Sequence, residues 1–212
     1  KIYLFYSGRK HCGENMLSLL EKRDPNLPKI QYMCDALNSN MPASLKATLI
    51  NCLVHGRRNF TDIEKFYPKE CAFVIDVIST IYKKELNDDQ RLEYHKKHSE
   101  KPMNDLQEHL KKQLDERFVE PNSPLGKAYN YMLNHWHKLT QFLRIAGAPL
   151  DNNILEQALK IPIRVRKNSY FYATEHGAYI GSMLQSLICT CIGAKQNPVE
   201  YLTALQVHKS AV

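Results

Sequence analysis

No apolar run in this chain approaches the length needed to cross a bilayer, which excludes a role built on membrane-spanning helices. The opening residues, Lys1-Ile2-Tyr3-Leu4-Phe5-Tyr6, are too few and too aromatic for a secretory leader. They also lack an initiator methionine, which points to a chain that begins inside a longer protein. The six cysteines (Cys12, Cys34, Cys52, Cys71, Cys189 and Cys191) are scattered, without the dense framework of a small secreted domain, so reduced cytosolic thiols are expected. Internal repeats and low-complexity tracts are absent. Acidic charge is in deficit: 22 Asp and Glu face 29 Lys and Arg, for a formal charge of +7 and a pI near 9.0. That balance favours a polyanionic partner, nucleic acid before a membrane surface. The 212 residues are 43% hydrophobic, enough for one sizeable core or a core with one inserted subdomain.

Along the chain, Lys1 to Tyr6 alternates and is β-rich, which predicts a strand. Glu14 to Lys22 predicts a short helix, stopped by Asp24-Pro25-Asn26. Ile30 to Asp35 predicts a second strand with an acid at its C-terminal end. An Asn38 to Pro42 loop and a short helix from Ala43 lead to a third strand over Leu49 to Val54. In open α/β sheets reactive groups collect at the C-terminal edges of strands, so Asp35 is well placed. The middle is helical: Glu70 to Leu86, then Asp105 to Val119 with a stripe of Leu106, Leu110, Leu114 and Phe118. Pro124 to Ala146 repeats the pattern with Leu125, Tyr129, Met132, Trp136, Leu139 and Leu143, closed by Gly147 and Pro149. The tail predicts a helix after Asn153, an extended Tyr170 to Ala173, and helices from about Gly177 and Val199.

The stretch richest in chemistry is Leu150-Asp151-Asn152-Asn153-Ile154-Leu155-Glu156-Gln157-Ala158, followed by Ile163-Arg164-Val165-Arg166-Lys167-Asn168. A turn rich in side-chain oxygens opens a helix, with one carboxylate on its first turns and cations behind. A carboxylate near basic side chains is what metal-assisted chemistry on a phosphate backbone needs. The same residues fit, about equally well, an ordinary N-capped helix beside a solvated basic loop.

Asp151-Asn152-Asn153-Ile154-Leu155-Glu156 resembles the Asp-Asn-Asn-x-x-Glu signature of the bacterial insertion-sequence transposases of the sixty-six family. Arg166-Lys167-Asn168 is similar to that family's Gly-Arg-Lys-Asn element. Cys52-Leu53-Val54-His55-Gly56-Arg57-Arg58-Asn59-Phe60 resembles its Cys-Trp-Ala-His-Ala-Arg-Arg-Lys-Phe segment. Ser186-Leu187-Ile188 with Asn197-Pro198-Val199-Glu200-Tyr201-Leu202 matches its C-terminal pattern, and Tyr6-Ser7-Gly8-Arg9 looks like the element preceding the helix before the second acid. Any one string is weak; all of them in the family's order are strong. The chain also departs from the pattern. Asp35 is followed by Ala36 and Leu37 instead of Gly-Tyr, and Gln157 stands where an Arg follows the third acid. A strand carrying the first acid would precede Lys1.

The resemblance implies an α/β fold: a partial RNase H-like core with an α-helical insertion, helix-rich overall. Residues 1–66 would hold core strands and the second catalytic acid, 67–147 the helical insertion, and 148–212 the return to the core with the third acid. It implies the C-terminal catalytic portion of a DDE-type DNA transposase, inactive by itself without the first acid. The chemistry would be phosphodiester hydrolysis and strand transfer with two Mg²⁺ (or Mn²⁺) ions about 3.5–4 Å apart. Asp35 and Glu156 are the expected catalytic metal ligands, with Arg57, Arg58, Arg166, Lys167 and Asn168 contacting nucleic acid. The implied partners are DNA ends and target DNA, further copies of the chain (dimer or higher) and accessory transposition proteins, with no membrane. The implied location is the bacterial cytoplasm, at the nucleoid when active.

Each assignment has a plainer counterpart. Asp35 fits a local turn at a strand end, and Asp151 fits a cap better than a ligand. Cys52-x-x-His55 lacks a matching second pair for zinc, so a buried Cys with a hydrogen-bonded His is the better reading. His95, His98, His135 and His137 sit among charges and are expected to be solvated, and Trp136 belongs to a core-facing stripe. Paired arginines such as Arg57-Arg58 often cover a helix surface without a ligand. Two other functions stay open: an inactive DNA-binding transposase remnant, and a helical interaction module whose charge is incidental.

Overall fold

The computed structural model describes residues 1–8, 12–36, 47–82 and 88–208. The loop at 38–42, the helix expected from Ala43, the end of the helix expected to reach Leu86, and Arg9 lie outside the described residues. The chain divides into two compact units, Met16–Asn152 and Lys1–Asn15 with Asn153–Val212. The first boundary falls within helix α1 (Cys12–Leu20).

The larger unit contains a two-stranded parallel sheet, β1 (Ile30–Cys34) and β2 (Ala47–Asn51), in the register Ile30↔Ala47 to Cys34↔Asn51. Around it stand α2 (Leu53–Thr61), α3 (Pro68–Ile81), α4 (Asp88–His98), α5 (Glu100–Asp115) and α6 (Pro124–Leu139). The helices bury apolar stripes at helical spacing: Leu53 and Phe60, then Cys71, Val74, Ile78 and Ile81, then Met103, Leu106 and Leu110. Leu125, Tyr129, Met132 and Leu139 of α6 complete the core, and Trp136 packs against it as expected. Each fully buried Leu or Ile contributes about 1.5–3 kcal/mol relative to exposure. The architecture is helix-rich with a small parallel sheet, consistent with an α/β chain.

Several expectations are corrected here. The third strand does not reach Val54: β2 ends at Asn51, whose Nδ2 donates to the Cys34 carbonyl at 3.4 Å, and α2 starts at Leu53. A run of β-formers gave no warning of the helix, whose buried face is set by Leu53, Gly56 and Phe60. The α5 stripe stops before Phe118, because the chain reverses through Arg117 at φ 59°. Phe118 is thereby turned out, 70% exposed, while Val119 is buried and donates its N–H to the Gln113 carbonyl at 3.0 Å. Helix α6 ends at Leu139 instead of Ala146. Thr140 Oγ1 donates to the Trp136 carbonyl at 2.7 Å, and a short 3₁₀ turn, Gln141–Leu143, follows.

Helix α4 has almost no apolar stripe, which hid it from periodicity. Asp88 and Asp89 in its first turn and Lys96 and Lys97 in its last complement the helix dipole. His95 is not solvated as expected. It is 3% exposed, shares a hydrogen bond between its Nδ1 and Ser99 Oγ at 2.9 Å, and stands edge-on to Phe142 at 4.9 Å. Burial, with Arg91 nearby, pushes its pKa down.

The smaller unit contains α7 (Asn153–Ser169), α8 (Glu175–Gly193) and α9 (Pro198–Val207). Thr174 caps α8 by accepting from the Gly177 N–H, and Asn197 caps α9 by accepting from the Val199 N–H. The basic run is not a loop beside α7; it forms the helix's last turns. Tyr170 to Ala173 forms no strand: α7 closes through Tyr170 at φ 62°, whose N–H donates to the Arg166 carbonyl.

Lys1 to Tyr6 joins no sheet among the described residues; it runs antiparallel along α8. The Tyr3 N–H donates to Thr190 Oγ1 at 3.0 Å and the Phe5 N–H to Ser186 Oγ at 2.8 Å, while Ser7 Oγ meets Ser182 Oγ. Two extended residues advance roughly 6.6 Å and four helical residues about 6 Å, so alternate N–H groups stay in step with hydroxyls four apart. Gly193 lets the Tyr3 ring lie close, since a Cβ there would stand 2.5 Å from its Cε2.

Candidate functional site

The parallel register puts the C-terminal ends of β1 and β2 side by side, with Asp35 directly after β1 and Cys52 directly after β2. The Cys52 N–H donates to the Cys34 carbonyl at 3.2 Å, and the Leu53 N–H to the Leu150 carbonyl at 2.9 Å. The second bond brings Leu150-Asp151-Asn152 to the same edge. Asp35, Asp151 and Arg57 are half-buried there, while Arg58 is exposed.

Electrostatics tie these groups together. Burial pushes the Cys52 thiol up; the N–H groups of Asn152, His55 and Val54 pull it down, and Asp151 adds to the rise. Tyr82, at the end of α3, is 38% exposed overall. Burial around its hydroxyl, the charges of Asp151 and Cys52, and a hydrogen bond to Asp151 nevertheless raise its pKa, against a smaller opposing pull from Arg57. The Tyr131 phenol is raised by burial first, then by Cys52, Asp35 and Cys34. Both phenols therefore stay protonated and can donate. Two amide oxygens, Asn51 Oδ1 and Asn152 Oδ1, are buried with no hydrogen-bond partner. Buried carbonyl oxygens of this kind are costly unless a hydrogen-bond donor or a cation satisfies them.

The other expected residues lie on α7 in the smaller unit. Glu156 is half-buried in the first turn; Arg166 and Lys167, in the last turn, are exposed, as is Asn168. A carboxylate at the N-terminus and cations at the C-terminus both suit the helix dipole. Lys160, Arg164 and Lys167 line a shallow groove with Ile163.

Among the described residues, no three His, Cys, Asp or Glu side chains form a metal-binding group. Cys34, Cys52, Cys71, Cys189 and Cys191 are buried and form no disulfide among the described residues. No helix among the described residues is long and apolar enough to cross a membrane.

The model of the family "Transposase IS66 family" matches residues 2–180. This chain belongs to the IS66 transposase family. An uncharacterized protein of Sinorhizobium fredii, y4jD, is 31% identical over 144 residues, covering 65% of the chain and 28% of that protein. A second uncharacterized protein of the same organism, y4qI, is 26% identical over 162 residues, covering 73% of the chain and 30% of that protein. The chain thus spans about a third or less of the lengths of these relatives. No solved structure matches the chain.

Seen as an IS66-family segment, Cys52 to Phe60 divides into two roles. Cys52, Leu53, Gly56 and Phe60 are buried structural positions, and Arg57 is half-buried and acts electrostatically on Tyr82. Asp151, expected to act as a cap or turn former, also takes a hydrogen bond from Tyr82. Asn152 was part of the quoted motif, whereas Asn51, Tyr82 and Tyr131, which share these surroundings, were not singled out in the sequence. The signal available for Asn51 was a polar residue ending an apolar strand; nothing local marked Tyr82 or Tyr131.

Proposed function

We propose that the chain is part of the catalytic region of a DNA transposase that hydrolyses and rejoins phosphodiesters with divalent metal ions. The family match over residues 2–180, which includes Asp151-Asn152-Asn153-Ile154-Leu155-Glu156, carries the reading. In it, residues 1–66 and 148–212 belong to an RNase H-like core and 67–147 to a helical insertion. The reading also requires a further carboxylate, the family's first acid.

Asp35 and Glu156 are the proposed catalytic carboxylates. The donors at the strand ends suit a hard ion such as Mg²⁺ or Mn²⁺: the carboxylates of Asp35 and Asp151, and the buried, unpartnered amide oxygens of Asn51 and Asn152. A divalent ion, when bound, supplies charge to phosphoryl oxygens and lowers the pKa of an attacking water. Tyr82 keeps its proton and orients Asp151 through their hydrogen bond. Arg57 adds positive charge at the strand ends, and Arg58, Arg166, Lys167 and Asn168 position the DNA backbone. Assembly as a dimer or higher, with accessory proteins, fits an enzyme that joins two DNA ends. The bacterial nucleoid is the proposed place of work.

The test is strand cleavage by the longest reading frame containing this chain, with Asp35→Asn and Glu156→Gln, alongside DNA binding at several salt concentrations. Each acid variant should abolish cleavage and keep DNA binding. Arg166→Ala and Lys167→Ala should each reduce the salt slope of binding by about 1. Full cleavage by either acid variant removes that residue from the site. Binding that ignores salt would favour an interaction module over a DNA enzyme.

A further inference from the structure

We propose that Tyr170 and Phe171, backed by the cations at the end of α7, form a stacking platform for unpaired nucleotides of single-stranded DNA. The inference rests on the transposase reading and names the form of DNA that this part of the chain takes.

The local structure does not account for these two aromatics. Tyr170 sits at φ 62°, in the left-handed region that closes a helix and that glycine or asparagine normally fills. A bulky residue there is strained. Its ring offers no packing in return, since Tyr170 is 80% exposed and Phe171 is 77% exposed. Strain held at an exposed aromatic is a feature of functional positions, because packing alone would select it away.

The segment is nevertheless held in place. The Tyr170 N–H donates to the Arg166 carbonyl at 2.7 Å and the Phe171 N–H to the Ser169 carbonyl at 2.7 Å. Tyr172 anchors the far side: its hydroxyl accepts from Gln185 Nε2 at 3.1 Å, and its ring lies where a Cβ on Gly181 would be 2.3 Å from the hydroxyl. Beside these rings is a cleft of about 480 Å³, within the usual range for a bound small group, whose polar lining includes Arg166, Ser169 and Gln185.

Charge selects the occupant. Arg166 lines the cleft with the two rings, Lys160, Arg164 and Lys167 line a separate groove on the same helix, and residues 160–172 include no acid. Exposed rings among cations match a strand whose bases stack while its phosphates pair with Arg and Lys, and duplex DNA, with its bases already stacked, cannot use the rings. A second copy of this chain, itself basic, would bring like charge to the same surface.

The experiment compares binding of a blunt duplex and of the same duplex with an unpaired 3′ overhang carrying 2-aminopurine. It uses the full 212-residue chain and its Tyr170→Gly, Phe171→Leu and double variants. Tyr170→Gly suits the left-handed backbone, so the fold is kept and a thermal melt confirms it. The parent chain should bind the overhang roughly tenfold more tightly than the blunt duplex and quench the 2-aminopurine. The double variant should lose both effects while its blunt-duplex binding is unchanged. Duplex binding without an overhang preference, or a preference that survives the double variant, overturns the platform and leaves the transposase reading standing. Failure to bind any DNA overturns the platform, and the cleavage assay on the longest reading frame decides the transposase reading separately. Dimerisation of the parent chain that the double variant abolishes, with overhang preference intact, assigns the rings to self-association instead.

Discussion

Tyr129→Phe should stabilise the protein. Tyr129 is 0% exposed in the core of the larger unit, its ring centroid 6.0 Å from that of Phe60, and its hydroxyl has no hydrogen-bond partner. An unsatisfied buried hydroxyl costs roughly 1–3 kcal/mol, because it gave up water and received nothing. Deleting one oxygen leaves a void of only about 10 Å³, worth roughly 0.2 kcal/mol. The net expectation is a gain of about 1–2 kcal/mol, or roughly 2–8 °C in melting temperature for a chain this size. A second signature depends on pH. Burial, with Glu70 and Cys71 nearby, raises the Tyr129 pKa to about 12. The folded state therefore holds this proton more tightly than the unfolded chain, whose tyrosines titrate near about 10. The corresponding stability is present below the unfolded value and is lost as pH rises through the folded one. The advantage of the Phe variant should accordingly widen from about pH 10 to 12. Urea melts at neutral and alkaline pH measure both effects. A variant less stable by 1 kcal/mol or more would show that the hydroxyl is satisfied and sink the argument.

Gly126→Ala should destabilise by about 1–3 kcal/mol or more in a thermal melt, because its Cβ would meet the backbone oxygen of Glu120 at 2.2 Å and that of Pro121 at 2.7 Å. Ser186→Ala should speed hydrogen exchange at the Phe5 amide about fivefold by removing the acceptor at 2.8 Å; unchanged exchange would mean the amide is protected otherwise. Burial depresses the pKa of both His95 and His135, helped by Arg91 and Lys138 respectively, so their folded values lie below the unfolded one. That stability is present above about pH 6.5 and lost as pH falls, so melting temperature should drop toward pH 5, less steeply in His95→Gln.

Particular residues show where sequence reasoning reached its range. The Leu106 and Leu110 stripe, the Tyr129 and Met132 stripe and the strand over Ile30 to Cys34 were legible, because burial imposes a period on local sequence. Helix α4 was not, since charges at its ends and a single buried histidine leave no apolar period. The Lys1 to Tyr6 alternation predicted a sheet strand, whereas among the described residues the segment pairs with no strand and lies along α8. Alternation reports which way side chains point; it carries no information on what accepts the N–H groups, here hydroxyls some 180 residues away in sequence. Asp35 was visible as an acid ending a strand, whereas Tyr82 and Tyr131 reach the same surroundings from distant helices.

The sequence by itself determined the family, the basic character and the order of acidic and basic elements, because these are carried by residue identity and short spacing. Only the tertiary structure decided that Asp151 takes a hydrogen bond from Tyr82, that His95 is buried, and that Asn51 and Asn152 present unpartnered oxygens. The left-handed turn that holds Tyr170 out in solvent was likewise invisible in the sequence. Burial, electrostatic surroundings and hydrogen-bond partnership depend on residues far apart in the chain, and no local pattern encodes them.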